Sequence, residues 1–87
     1  MARYKLEFKA SVAKDLRPIP KTDVTRILQR IEGLQEDPRP PGSEKLSGRE
    51  RYRIRQGIYR IIYEVVDDYL IVTVVNVGHR RDVYRHP

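Results

Sequence analysis

Residues 49–66 read RERYRIRQGIYRIIYEVV. Arginine stands at every second position, Arg49, Arg51, Arg53 and Arg55, before the run turns aliphatic and tyrosine-rich. A period of two is the period of a β-strand, in which successive side chains point to opposite faces. Arg51, Arg53 and Arg55 therefore share one side, and Tyr52 and Ile54 share the other. Gln56-Gly57 supplies a turn, and YRIIYEVV follows as a second strand, so the stretch reads as a hairpin. Arg60 joins the arginine face across that hairpin, since cross-strand neighbours lie about 5 Å apart. Tyr52 and Ile54 form the core side, which leaves the arginines on the solvent-facing side. Like charges set this closely repel, and no acidic residue lies between Arg51 and Glu64 to relieve them. The pattern suits a surface that grips phosphate better than a charged edge strand that only resists aggregation.

Elsewhere the chain completes a small fold. RYKLEF alternates as a half-buried strand with Tyr4, Leu6 and Phe8 on one side. KASVAKDLRPIP is a short helix ended by Pro18 and Pro20. KTDVTRILQRIEGLQEDP places Val24, Ile27, Leu28, Ile31 and Leu34 on one helical face, with Thr22 or Asp23 as N-cap and Pro38 as stop. Gly33 weakens its last turn by about 1 kcal/mol relative to alanine. DPRPPGSEKLSG is one ordered loop. After the hairpin, Asp67-Asp68 make a tight turn into YLIVTVVNV, an almost wholly apolar strand expected to be central and covered on both faces. Gly78 then turns the tail GHRRDVYRHP, bringing His79, Arg80, Arg81 and Tyr84 back over the sheet. The predicted class is α+β, in the order β-α-α-β-β-β. Two N-terminal helices pack on one face of a small, mostly antiparallel four-stranded sheet.

With 87 residues, the chain is expected to form a single domain spanning residues 1–87, with one modest core. It has no cysteine, which excludes disulfides and thiolate chemistry and fits a reducing cytoplasm. No apolar run reaches the roughly 18 residues of a membrane span, and the charged start does not resemble a signal peptide. A soluble, cytoplasmic protein is expected. The net charge of +6 and pI of about 9.9 favour polyanionic partners. From Arg49 onward the chain carries eight arginines and no lysine, and the planar guanidinium suits phosphate where lysine acts as a point charge. Metal-ligand spacing and a glycine-rich phosphate loop are both absent, so no cofactor is expected. Any chemistry would run on arginine, tyrosine and His79, with Tyr84 also suited to stacking on a base.

KASVAKDLRPIP, QEDPRPPGSEKLSGRERYRIRQGIYRIIYEV and VVNVGHRRDVYR together resemble the RelE/ParE superfamily of type II toxins over essentially the whole chain, most closely its RelE branch. The resemblance implies the fold above and a ribosome-dependent, metal-independent messenger-RNA interferase that cuts A-site codons. In that reaction a ribose 2′-oxygen attacks the neighbouring phosphate. By position the implied catalytic set is Arg53, Arg55, Arg60, Arg80 and Tyr84, with Arg51, His79 and Arg81 as further RNA contacts. Arg53 and Arg55 stand where the best-studied RelE toxins carry lysines. Arginine keeps its proton, so these two suit charge stabilisation rather than base duty. The base is then His79 or Tyr84, unless ribosomal RNA positions the 2′-hydroxyl. Implied partners are a cognate antitoxin, the ribosome with its mRNA and rRNA, and promoter DNA only through the antitoxin. Membranes are not among them. The competing reading is a ParE-like inhibitor of DNA gyrase that cuts no RNA.

Overall fold

The β-hairpin forms as its alternation requires. In the computed structural model, which describes residues 3–46, 48 and 50–79, strand β3 (Arg51–Gln56) pairs antiparallel with β4 (Tyr59–Val66). Their two-residue loop is Gly57-Ile58, one residue later than the expected Gln56-Gly57, because Gln56 still pairs with Tyr59. Gly57 stands at φ 59°, a left-handed conformation that a Cβ would strain and glycine adopts without cost. Tyr52 faces Tyr63 and Ile54 faces Ile61. All four are buried.

The remaining elements are β1 (Lys5–Phe8), α1 (Ser11–Leu16), α2 (Lys21–Gly33), the two-residue β2 (Glu44–Lys45) and β5 (Ile71–His79). They complete a five-stranded mixed sheet in the order β1-β5-β4-β3-β2. This corrects the expected four antiparallel strands on two counts. A piece of the proline-rich loop pairs with β3 as β2, and β1 docks parallel to β5. The parallel pairing leaves no hairpin signal, because β1 and β5 lie at opposite ends of the chain, whereas β2 joins β3 through a short connection that contains Gly48 at φ 81°.

One core serves both helices. Val12 of α1 and Ile27 and Ile31 of α2, with Leu34 just beyond it, pack on the tyrosines and aliphatic residues of β3, β4 and β5, all on one face. A helix of six residues is marginal alone, so α1 owes its persistence to the burial of Val12. The α2 N-cap is Pro20, not Thr22 or Asp23. Its carbonyl accepts from the amides of Asp23 (2.9 Å) and Val24 (3.0 Å), which begins the helical hydrogen bonding, and no side chain caps the end.

β5 is an inner strand, yet only one of its faces is buried, contrary to expectation. A bulge explains the apolar run. Ile62 pairs with Asn76 and Tyr63 with Val74, so Val75 is the extra residue. The bulge re-phases the strand so that Val72, Val74 and Val77 all point to the core. β1 stops short of this upper half of β5. There the Asp15 carboxylate of α1 accepts the Val77 amide at 3.1 Å, in place of a strand partner. The expected Asp67-Asp68 turn is a 3₁₀ turn over Asp67–Tyr69, closed by Leu70 at φ 53°.

Tyrosines pin the long loop to the sheet. The buried Tyr63 hydroxyl donates to the Pro38 carbonyl at 2.8 Å. Its ring stacks on Tyr52, with centroids 5.7 Å apart. Arg39 lies over the Tyr52 ring, donates to the Tyr52 hydroxyl at 2.8 Å, and grips both oxygens of Asp67 at 3.2 and 2.7 Å.

Candidate nucleic-acid interface

Register decides what the sheet face opposite the helices can do. Arg51, Arg53 and Arg55 lie on that face, directly opposite Glu64, Ile62 and Arg60 of β4. Glu44 of β2 stands on the other side of Arg53. The row is therefore not uniformly positive. Arg51 donates from Nε and Nη2 to the Glu64 carboxylate, at 3.1 and 2.6 Å. The Nη2 of Arg53 donates to Glu44 at 2.9 Å, in an ion pair whose arginine side chain is 15% exposed and whose glutamate is 56% exposed. Arg55 is exposed and faces Arg60 across the ladder. Positive charge thus concentrates toward the hairpin tip, and the Arg51 end is neutralised.

Arg60 departs from expectation. It is not solvent-facing but 4% exposed, the one buried charged residue among those described. Its ladder neighbours are Arg55 on one side and Gly78 on the other. A long stem with a planar head packs well beside a residue that has no side chain, and this burial is a sum over neighbours that alternation alone cannot give.

His79 is also placed differently. β5 runs straight through Gly78 to His79 with no turn at that glycine, and His79 pairs with Tyr59. Paired residues share a face, so His79 sits on the helix side, edge-on to the Tyr59 ring with centroids 6.3 Å apart. The Tyr59 hydroxyl donates to Asp23 at 3.0 Å. Burial, and then that carboxylate, push the Tyr59 hydroxyl above its ordinary pKa. The structure thus groups Arg51, Arg53, Arg55 and Arg60 on one face and sets His79 on the other. Arg80, Arg81 and Tyr84 lie outside the described residues.

A cleft of about 270 Å³ opens on the helix side of the hairpin tip, lined by Asp23, Arg26, Gln56, Gly57, Ile58 and Tyr59. None of the grouped arginines lines it.

Sequence reasoning missed the two glutamates. Glu64 is missed because the turn is expected at Gln56-Gly57; from the observed Gly57-Ile58 loop, equal counting sets Arg51 against Glu64, as it sets Arg55 against Arg60. Glu44 lies on β2, a segment that reads as loop in the sequence, so its pairing with Arg53 is not anticipated.

The model of the ParE toxin of type II toxin–antitoxin systems matches residues 6–84. Among relatives, the toxin RelG of Mycobacterium tuberculosis is 28% identical over 86 residues, covering 94% of this chain and 97% of that protein. The mRNA interferase toxin RelE of Escherichia coli is 28% identical over 79 residues, covering 88% of this chain and 83% of that protein. The toxin in the RelB–RelE antitoxin–toxin complex from Methanococcus jannaschii superposes with a TM-score of 0.74 at 31% identity. That superposition covers 93% of this chain and 99% of that one. A match across nearly the whole length, on the fold described above, places the chain plainly: it belongs to the ParE toxin family of type II toxin–antitoxin systems, within the RelE/ParE superfamily.

Proposed function

We propose that this toxin is an endoribonuclease that cleaves messenger RNA in the ribosomal A site. The single observation that carries the reading is Arg55 set opposite Arg60 on the sheet face without helices. Exposed Arg55, with Arg53 and Arg60 beside it on the same face, offers planar guanidinium donors suited to a phosphate. The mRNA interferase name of the E. coli relative supports the same reading.

The chemistry is a transesterification. The 2′-oxygen forms a bond to the adjacent phosphorus, the bond from phosphorus to the 5′-oxygen breaks, and a 2′,3′-cyclic phosphate and a 5′-hydroxyl result. The 2′-proton goes to a base, and the leaving oxygen takes a proton from an acid. Negative charge grows on the phosphate oxygens in between, and preorganised cations lower that barrier. Arg55, Arg53 and Arg60 are assigned to this charge, Arg80 to the leaving oxygen and Tyr84 to stacking on the nucleotide. Arg51, held by Glu64, contributes field rather than a direct grip, and Arg81 adds rRNA contact. His79 lies on the helix side, opposite the grouped arginines, which favours Tyr84 for the acid–base assignment.

A RelB-type antitoxin is the proposed partner, on the strength of the M. jannaschii complex, with promoter DNA contacted only through it. The ParE description of the family model favours a second reading, inhibition of DNA gyrase. One experiment separates the two. The purified protein is added to a cell-free translation reaction and 5′ ends on the message are mapped by primer extension. Cuts within A-site codons, lost in Arg55→Ala and Tyr84→Ala, establish the interferase. An intact message together with inhibited gyrase supercoiling refutes it.

A further inference from the structure

One arginine of the proposed phosphate grip already holds a carboxylate. Arg53 stands between the acidic β2 and the exposed Arg55. Its Nη2 lies 2.9 Å from Glu44. A carboxylate and a phosphodiester present the same paired oxygens to a guanidinium, so they compete for one planar fork. The glutamate is the exposed partner and the arginine the sheltered one, at 56% against 15%. Glu44 can therefore swing into solvent while Arg53 stays in place. The movement is a rotation of an exposed side chain and leaves the pairing of β2 with β3 intact.

We infer that Glu44 is an affinity-setting residue that holds the Arg53 fork in the unliganded toxin and is displaced when an RNA phosphate takes its position. The inference rests on the RNA-binding reading above. Displacement costs the ion pair and leaves a carboxylate beside the bound phosphate, so wild-type affinity is held below what the arginines alone would give. Arg51–Glu64 is the built-in contrast. There both partners are equally shielded, both guanidinium donors converge on one oxygen, and the pair lies at the far end of the face from Arg55.

The test uses the full chain and a single-stranded oligonucleotide with every 2′-hydroxyl methylated, which cannot be cut. Affinity is read by fluorescence anisotropy between 50 and 200 mM salt. Glu44→Gln and Glu64→Gln raise the net charge equally. Glu44→Gln is expected to bind about two- to fivefold tighter than wild type, the range of a partly exposed ion pair. Its slope of log affinity against log salt should be steeper by up to about 0.7, one more effective phosphate contact on a single strand. Glu64→Gln should gain less on both counts. Equal gains would reduce the effect to net charge and overturn the inference. So would weaker binding by Glu44→Gln with an unchanged melting temperature, which would make Glu44 a strut that aims Arg53. Wild type and both variants failing to bind at 50 mM salt would instead bring down the RNA-binding reading, and this inference with it.

Discussion

Tyr63→Phe tests how the loop that carries Glu44 is held. The substitution removes one oxygen and leaves a ring of nearly the same shape. Tyr63 has no exposed surface, and its hydroxyl donates to the carbonyl of Pro38 at 2.8 Å. Pro38 is itself buried, so water does not readily replace the lost donor. An orphaned buried carbonyl costs about 1–3 kcal/mol. For a domain of this size each kcal/mol lowers the melting temperature by about 4–8 °C. A second signature lies in pH. Burial pushes the Tyr63 hydroxyl up to about 12 from its ordinary 10.0. Above pH 10 the unfolded chain loses this proton while the folded chain keeps it. Wild-type stability therefore falls by about 1.4 kcal/mol per pH unit until the folded group also ionises, about 2–3 kcal/mol in all. The phenylalanine variant has no such proton, and every other titration cancels in the comparison. The assay is urea unfolding followed by circular dichroism from pH 7 to pH 11.5. Wild type should lead by about 1–3 kcal/mol at pH 7, with the lead closing above pH 10. A lead below about 0.5 kcal/mol at pH 7 would mean that the net hydrogen bond contributes almost nothing. A lead constant through pH 10–11.5 would mean that the hydroxyl is not buried. Either result refutes the account of how the loop is pinned.

The two opposed arginines should separate binding from folding. Arg55→Ala, at an exposed strand position, should leave the melting temperature unchanged and lower the salt slope of RNA binding by about 0.7. Arg60→Ala removes a residue that is 4% exposed, so it should lose about 1–3 kcal/mol of stability as well as activity; an unchanged melt would contradict its burial. Asp67→Asn loosens the 3₁₀ turn from Arg39 and Tyr4. Hydrogen bonds from Arg39 first, and then from Tyr4, hold the Asp67 carboxylate below its usual value of 3.8. Its contribution is therefore present above pH 3.8 and disappears as pH falls through the lowered value. Wild type should melt above the variant at pH 7, and the two should converge as pH falls well below 3.8 and the carboxylate protonates; a gap that persists after protonation would assign the effect to packing.

Much of this protein was determined by local sequence alone. Alternation sent Tyr52 and Ile54 inward and the three arginines outward, because the pleat admits no other arrangement once one face is buried. Helical spacing likewise chose Ile27, Ile31 and Leu34 for the core, and the hairpin pattern put Arg60 on the arginine face, while the loop at Gly57-Ile58 and the register opposite Arg55 came from the structure. What only the tertiary structure decided depends on segments that meet across space. β1 supplies no turn that would announce its parallel docking on β5. The bulge at Val75 is a compromise between two strands, and it turned a run that looked buried on both faces into a strand buried on one. Glu44 meets Arg53 because a segment that reads as loop pairs with β3 as the two-residue β2. His79 is carried to the helix side by the strand phase that follows the bulge. Burial of Arg60 is a sum over neighbours on several elements. Alternation is a property of one strand and can be read along it, whereas charge balance on a face belongs to the register between strands.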